Sequence, residues 1–304
     1  MAKTQTPGVG LSADMQPRVV KHYGSAQKKT KARRVRQFGI PGLGRVAFSK
    51  DQGEANLFSR YFLQTRLSAI VRNPFGEIVE QHNLGSGLVT NVGVLALAED
   101  WVVDAASEAS FNLFPNLKWQ AWGTGATAAS EKDIKLQTLA APNATEAVEA
   151  TNTTTPNGEG KPKLVSTGKI KAESSLAITE WGIHTQKLLS AATGSPLVSV
   201  TATEGKVTAT PLTASDKKTK GERLKIIVPT EATEIWGLIT SNTTSVVTVP
   251  AFYKQSTGAV QAPVGTSPFS LKPVMFDHRV FSVINVESGN VIEFPWELEI
   301  KSGG

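Results

Sequence analysis

The chain has 304 residues, 40% of them hydrophobic, and contains no cysteine. This size allows one large β domain or two smaller ones, and the lack of cysteine excludes disulfides and thiolate chemistry. The net charge of +6 is uneven, because 11 of the 32 basic residues but only one of the 26 acidic residues lie in residues 1–50, which gives that segment +10 and the remainder −4. The sequence shows neither a membrane-length apolar stretch nor the apolar run of a secretory signal, so we expect no membrane partner and synthesis in a cytoplasm.

Residues 1–53 are predicted to form an extended basic N-terminal arm. Gly, Pro, Lys and Arg are frequent there, and residues 38–44 (FGIPGLG) are expected to resist both helix and strand. Such a segment is either disordered or ordered only against a partner. The candidate partner-binding residues are the six bases of the run KKTKARRVR, namely Lys28, Lys29, Lys31, Arg33, Arg34 and Arg36.

Three roles are open for this basic run. It can clamp an acidic protein surface, remain a solvated tail, or neutralise nucleic-acid phosphates. The clamp is the favoured interpretation. Tyr23 and Phe38 flank the run and no aromatic residue lies within it, which gives base stacking little support.

Residues 54–304 are predicted to form the folded body. Alternation predicts a strand over residues 63–72, with an NPFG turn leading to a second strand over 77–81. Thr90 or Asn91 is a suitable N-cap for one helix that extends to about Asp104. Its apolar face would consist of Val94, Leu97, Ala98, Trp101 and Val102.

The second half of the body reads as many short strands. A strand at 117–122 leads into the Gly123-Thr-Gly125 turn, residues 126–139 are expected to hold a short helix, and long loops are expected at about 140–163 and 203–222. Further β-rich runs occupy 176–184, 197–203, 224–228, 234–240, 245–252 and 280–300. This spacing predicts a mainly β, antiparallel β-sandwich or jelly-roll-like fold with one short helix.

The last strand shows the clearest alternation. Apolar residues 292, 294, 296, 298 and 300 alternate with Glu293, Pro295, Glu297 and Glu299. Residues 288–290 (SGN) predict a tight hairpin that pairs this strand with residues 280–286. The three glutamates are predicted either to protect a sheet edge from aggregation or to contact the basic arm of another subunit.

The sequence offers little that indicates catalysis. Its four histidines have no metal-ligand spacing, and residues 277–279 (DHR) are expected to point to opposite faces of a strand, so that they cannot converge. The GTGATA run at 123–128 matches a loose dinucleotide pattern but lacks the βαβ context that a nucleotide site requires, so we interpret it as a turn. We therefore predict no catalytic residue, metal or cofactor, and a non-enzymatic protein.

Four motifs, taken in chain order, resemble a known class of proteins. They are SGLVTNVG (86–93), WGTGATAAS (122–130) with Asp133 and Leu136, AITEWGI (177–183) and HRVFSVINVESGN (278–290), followed by an alternating strand. This order resembles tailed-bacteriophage virion structural proteins, whose typical run is GTGTTAPAxxDTAL, then EIGLF, then RxxFPPIxVxxGDxI and a closing strand. The chain departs from it in having Trp before the GTG turn and Glu287-Ser-Gly-Asn290 where an acidic turn residue is usual.

The resemblance covers residues 84–300 with long gaps and implies a non-enzymatic β-sandwich component of the phage head or tail. With the basic arm, it predicts a capsid decoration or cement protein located in the virion, bound to the major capsid protein or other virion subunits and itself a homo-oligomer. One alternative is a tail or baseplate receptor-binding protein that uses the loops at 143–160 and 241–260. A second is a nucleic-acid-binding protein that uses the arm.

Overall fold

The structure is a computed structural model that describes residues 36–40, 44–48, 60–102, 113–140, 146–156, 162–189, 197–200, 204–207, 225–230, 234–243, 246–263 and 269–303. It is mainly β, built from antiparallel sheets with two short helices, which confirms the predicted fold class. Neither described helix is long and apolar enough to cross a membrane.

The described residues form the following elements, in chain order: β1 (Arg36–Ile40), β2 (Gly44–Phe48), β3 (Arg60–Arg72), β4 (Ile78–Ser86), β5 (Leu88–Val89), α1 (Asn91–Val102), α2 (Leu113–Asn116), β6 (Trp119–Gly123), β7 (Val148–Glu149), β8 (Thr151–Pro156), β9 (Pro162–Lys171), β10 (Leu176–His184), β11 (Leu197–Val200), β12 (Glu204–Val207), β13 (Lys225–Thr230), β14 (Ile235–Leu238), β15 (Ser241–Asn242), β16 (Val246–Thr248), β17 (Phe252–Lys254), β18 (Ser270–Pro273), β19 (Met275–Val286) and β20 (Val291–Gly303).

Two five-stranded sheets face each other across the main core. Sheet I has the strand order β4-β3-β20-β9-β8, and sheet II has the order β5-β19-β10-β6-β7. Aromatic side chains from both sheets meet between them. The rings of Trp122 and Phe294 stack at 6.5 Å between centroids, and those of Phe276 and Trp296 meet edge to face at 6.0 Å. Burial of such large rings is the main stabilising contribution to a sandwich core.

A smaller β unit is inserted in the chain between β10 and β19. It contains two four-stranded sheets, β17-β14-β13-β18 and β11-β12-β16-β15. Its separate cluster of buried apolar side chains includes Ile227, Ile239, Val247 and Phe252. The strand β12 occupies the start of the region predicted as a loop at 203–222, so that prediction was wrong for Glu204–Val207.

The predicted helix is confirmed with its predicted cap. The amide of Gly93 donates to the Thr90 hydroxyl at 3.0 Å, and the amide of Val94 donates to the Thr90 carbonyl at 3.0 Å. No helix occurs at 126–139, contrary to the prediction. The amide of Thr124 instead donates to the Thr138 carbonyl at 2.9 Å, so this segment leaves and rejoins β6 as a loop. The short helix α2 was not predicted.

The C-terminal hairpin prediction was wrong, although both strands and the turn exist. Gly289 has a φ of +88°, as the turn requires, but β19 belongs to sheet II and β20 to sheet I. Both strands have one strongly apolar face, and burying these faces against each other removes more apolar surface from water than pairing the strands edge to edge. The connection therefore crosses between the two layers of the sandwich.

Two predicted irregular segments contain strands. Within the predicted arm, β1 and β2 pair antiparallel, with Arg36 opposite Phe48 and Ile40 opposite Gly44. The sequence between them contains Pro41-Gly42, a pair that type II turns favour and that the prediction undervalued. Within the predicted 140–163 loop, β7 and β8 form sheet edges. The threonines of β8 are polar but β-branched, so they fit an exposed strand.

Candidate functional site

Most of the predicted arm contacts lie outside the described residues. This holds for Lys28, Lys29, Lys31, Arg33 and Arg34. Arg36 is the first residue of β1. The role of the six bases in partner binding stays a prediction.

The acidic face of the last strand lies on a central strand of sheet I. Because β20 is hydrogen-bonded to β3 on one side and β9 on the other, Glu293, Glu297 and Glu299 cannot protect a sheet edge, and that prediction was wrong. Their role as a subunit contact stays a prediction.

Glu293 and Glu297 form ion pairs with basic residues of the same chain. The Glu293 carboxylate lies 2.8 Å from Lys169 Nζ and 3.3 Å from Arg72 Nε, and Glu297 lies 3.2 Å from Lys163 Nζ. Burial alone would raise the pKa of Glu293, but the two cations outweigh it and hold the pKa below its usual value. A second subunit's arm would have to displace these pairs.

Glu180, in β10, is a buried carboxylate surrounded by hydrogen-bond donors. Its side chain is fully buried in sheet II. Oε1 accepts hydrogen bonds from the backbone amide of Gln137 at 2.6 Å and from His278 Nε2 at 2.8 Å. Oε2 accepts hydrogen bonds from the backbone amides of Gly125 and Thr138 at 3.2 Å each. A carboxylate that accepts this many hydrogen bonds is stable in its charged form even when it is removed from water.

His278 links this carboxylate to a second one. Its imidazole is fully buried, with Nδ1 2.7 Å from Asp133 Oδ2 and Nε2 2.8 Å from Glu180 Oε1. Burial alone would lower the pKa of His278, but the hydrogen bonds to Asp133 and Glu180 raise it to about 9. For Glu180 burial acts in the opposite direction and would raise the pKa. The hydrogen bonds from His278 and two backbone amides nevertheless hold the pKa of Glu180 below its usual value. At neutral pH the group is therefore an imidazolium between two carboxylates.

The neighbours of His278 in β19 point to the other face and form a second buried ionic group. The Asp277 carboxylate accepts two hydrogen bonds from the Arg279 guanidinium at 3.1 Å and one from Trp296 Nε1 at 2.8 Å. Arg279 also donates to the Gly85 carbonyl at 2.7 Å and to the Thr65 hydroxyl at 3.1 Å. Asp277 and Arg279 thus connect sheet II to sheet I. His278 lies on the opposite face of β19, where it contacts Asp133 and Glu180, as the alternation of strand side chains requires.

Glycines make room for both ionic groups. A Cβ atom on Gly125 would lie 2.5 Å from Glu180 Oε2, and one on Gly87 would lie 2.1 Å from Arg279 Nη2. These distances are shorter than van der Waals contact, so the GTG and SGL motifs require glycine at these positions because charged side chains occupy the space.

The described residues offer no evident metal site: no group of three or more His, Asp and Glu side chains there is arranged to hold an ion. The polar atoms of the two ionic groups form hydrogen bonds with one another, with the backbone, and with the side chains of Thr65 and Trp296. The nearby His184 is fully buried, and burial lowers its pKa to about 3, which keeps it neutral. The hydrogen bonds and ion pairs of the two groups connect β19 to β10, β3 and β20.

The outer face of sheet I has a polar groove where Pro295 interrupts strand pairing. The β20–β3 register is continuous up to Glu293 opposite Ile70 and resumes at Trp296 opposite Leu67, because proline has no N–H to donate. The groove has a volume of about 500 Å³. Its lining includes Arg66, Ser68, Gln81, Asn83, Pro295 and Glu297.

Sequence reasoning missed the role of Glu180 and Asp133. A glutamate inside the otherwise apolar run AITEWGI was the available signal, since a charged residue on a buried strand requires partners. No signal in the sequence identified the hydrogen-bond partners of Glu180, which lie 42 to 98 residues away along the chain. In comparisons with known proteins, no family model, curated protein or solved structure matches this chain.

Proposed function

We propose that this chain is a non-enzymatic structural protein of a bacteriophage virion, and specifically a capsid decoration or cement protein. The observation that carries the proposal is the meeting of three of the four motifs of the phage resemblance. Gly125, Glu180 and His278 come from three of them and are joined by direct hydrogen bonds, and Asp133 accompanies the second. Motifs that meet in one place are better explained by a common architecture than by chance similarity.

The chemistry of the meeting point favours a structural role. Its acids and bases are buried and held by one another and by backbone amides, whereas a catalytic group needs a polar atom directed towards a substrate. Such a network supports a rigid, uniquely folded body. A virion subunit that must survive assembly and release benefits from that rigidity.

The uneven charge of the sequence suggests how the subunit attaches. A segment of net charge +10 precedes a body of net charge −4. A cationic segment that orders on binding can cover a large acidic area of a capsid surface, and its ordering cost is offset by many weak contacts. Repetition by the symmetry of the shell then adds avidity.

Immunogold electron microscopy of intact particles tests the location, using an antibody to residues 54–304. Label distributed over the head supports decoration. Label confined to the tail contradicts decoration and favours the tail proposal below. Absence of label, with the antibody verified on the purified protein, contradicts an exposed virion location and favours the nucleic-acid alternative.

Charge reversal tests the attachment mechanism. Replacing the six predicted arm bases with glutamate should abolish binding to undecorated shells at moderate salt while the thermal unfolding of the body is unchanged. The matched control reverses Lys135 and Lys171, two exposed lysines of the body, and should still bind. Equal binding by both variants would contradict a clamp formed by the arm.

A tail or baseplate receptor-binding protein is the second candidate, favoured by the groove beside Pro295. Its guanidinium, amides, hydroxyl and carboxylate can form paired hydrogen bonds with the hydroxyls of a surface glycan. Saturable binding of the protein to host cell walls, lost in Gln81→Ala, would support this function. Equal binding by that variant would exclude the groove as the receptor site.

A further inference from the structure

The four edges of the two large sheets are not equally protected against pairing with another chain. An exposed edge strand presents unpaired backbone groups, and proteins block such edges with short strands, charges or bulges. Sheet II ends in β5 and β7, which have two residues each. Sheet I ends in β4, with nine residues, and β8, with six.

The β4 edge is blocked by irregularity and charge. Its register with β3 shifts twice, between the pairs formed by Arg66 and Ser68 and between those formed by Val71 and Arg72. Such bulges bend a strand away from a flat partner. The exposed Glu80 also lies in this strand, paired with His82 at 2.9 Å.

The β8 edge has none of these protections. It reads TNTTTP, without a charged residue, and its register with β9 is regular over six consecutive pairs, from Thr151 opposite Thr167 to Pro156 opposite Pro162. Thr151, Thr153 and Thr154 are exposed. In the described part of the chain, β8 is hydrogen-bonded on one side, by β9.

The β8 strand is also firmly held by the body. The side-chain amide of Asn152 donates to the Leu117 carbonyl at 3.2 Å, and Ala150, immediately before β8, donates its amide to the Lys118 carbonyl at 2.6 Å. The edge is therefore preorganised, so a partner strand would not have to supply the free energy of ordering it.

We propose that β8 pairs antiparallel with β8 of a second copy of this chain, so that the two copies of sheet I form one continuous ten-stranded sheet. A two-fold axis perpendicular to the sheet places the outer faces of both copies on the same side of the combined sheet. Side chains of directly opposed residues then share a face, so their residue numbers must differ by an even number. Centring the axis at Thr153 opposes residues 151 and 155 and residues 152 and 154. This register uses five residues and leaves out Pro156, which cannot donate a backbone hydrogen bond.

The composition of β8 favours a second copy as its partner. Self-pairing places every residue opposite one from the same strand, and like charges directly opposite are destabilising. An uncharged strand avoids this repulsion, and threonine pairs are among the favourable cross-strand pairs. Because the β4 edge is blocked, sheet I offers one such edge per copy, and the assembly closes as a dimer instead of growing into a fibre.

This inference does not depend on the proposed virion function. A cysteine cross-link tests it directly, since the chain has no natural cysteine. Thr153→Cys places two thiols across the axis at the Cα separation of a directly opposed strand pair, roughly 4.5–5.5 Å, which a disulfide can span. The matched control is Gln81→Cys, an exposed position on the blocked β4 edge.

Under mild oxidation the Thr153→Cys protein should convert to a covalent dimer, and the Gln81→Cys protein should stay monomeric. Sedimentation of the wild-type chain should show a reversible dimer, and Thr153→Lys should weaken it roughly tenfold by placing two ammonium groups face to face. Hydrogen exchange of the wild type should show slower exchange at residues 151–155 as concentration rises. A wild-type chain that stays monomeric with concentration-independent exchange there overturns the proposal, as does a dimer that forms equal cross-links at both positions.

Discussion

Replacing Glu180 with glutamine should destabilise the whole body while leaving its shape almost unchanged. The native carboxylate accepts four hydrogen bonds, two at each oxygen. In either orientation of the glutamine side-chain amide, its NH2 group faces two hydrogen-bond donors, so neither of those donors has an acceptor there. One orientation opposes the amides of Gly125 and Thr138, and the other opposes the amide of Gln137 and the protonated ring of His278.

The magnitude follows from the burial of the pair. Removing one partner of a buried ion pair costs about 3–5 kcal/mol, because the other charge stays buried without compensation. Asp133 remains bonded to His278 in the variant, so we expect the lower end, about 3 kcal/mol. For a protein of this size that corresponds to a fall in the melting temperature of roughly 6 °C. Urea titration and differential scanning calorimetry measure the two quantities.

The chain contains a matched control. Glu80 and His82 form the same pair of residue types at 2.9 Å, but their side chains are 50% and 35% exposed. Glu80→Gln should change the free energy of unfolding by less than about 0.5 kcal/mol, because exposed ion pairs contribute little. If Glu180→Gln changed it by no more than Glu80→Gln does, the argument that Glu180 fastens the strands would be refuted.

Three further outcomes follow from the same geometry. The pKa of His278 is raised to about 9 from an ordinary 6.5, so protonated His278 stabilises the fold fully below pH about 6.5 and this stabilisation is lost as pH rises through about 9. Urea titrations across this range should show that the free energy of unfolding falls by an amount on the order of 3 kcal/mol. The fall should be much smaller in Glu180→Gln. Gly125→Ala should destabilise by roughly 1–3 kcal/mol in the same titration, since its new methyl group overlaps Glu180 Oε2, and an unchanged midpoint would contradict that packing. Trp296→Phe should lower the free energy of unfolding by roughly 1–3 kcal/mol more than the loss of buried apolar area accounts for, because the buried Asp277 carboxylate loses a hydrogen-bond donor. In an Asp277→Asn background the effect of Trp296→Phe should be smaller.

Local sequence patterns predicted the individual elements well. The odd residues of 63–71 are all buried, as their alternation indicated, and the β10 strand has the predicted bounds of 176–184. The helix begins where the Thr90 cap predicted. These features depend on neighbouring residues in the chain, whose spacing already determines which side chains share a face.

The expectations from the sequence are wrong where two local signals in the same segment favour different structures. The glycines and the single proline of residues 36–48 predict irregular structure, as does the polarity of residues 148–156, yet both segments contain strands. A strand at a sheet edge needs only β-compatible backbone and one neighbour, so low hydrophobicity does not exclude it. Whether that neighbour exists is determined by the rest of the fold.

The sequence by itself determined the fold class, most strands, the capped helix and the opposite orientations of Asp277 and His278 in their strand. Only the tertiary structure decided that β19 and β20 lie in different sheets and that the glutamates of β20 lie on the central strand of sheet I. It alone also placed His278 between Glu180 and Asp133. The physical reason is that periodicity reports how a strand divides into two faces but carries no information about which distant strand covers each face. A buried charge shows that partners must exist, and the folded chain alone shows which residues they are.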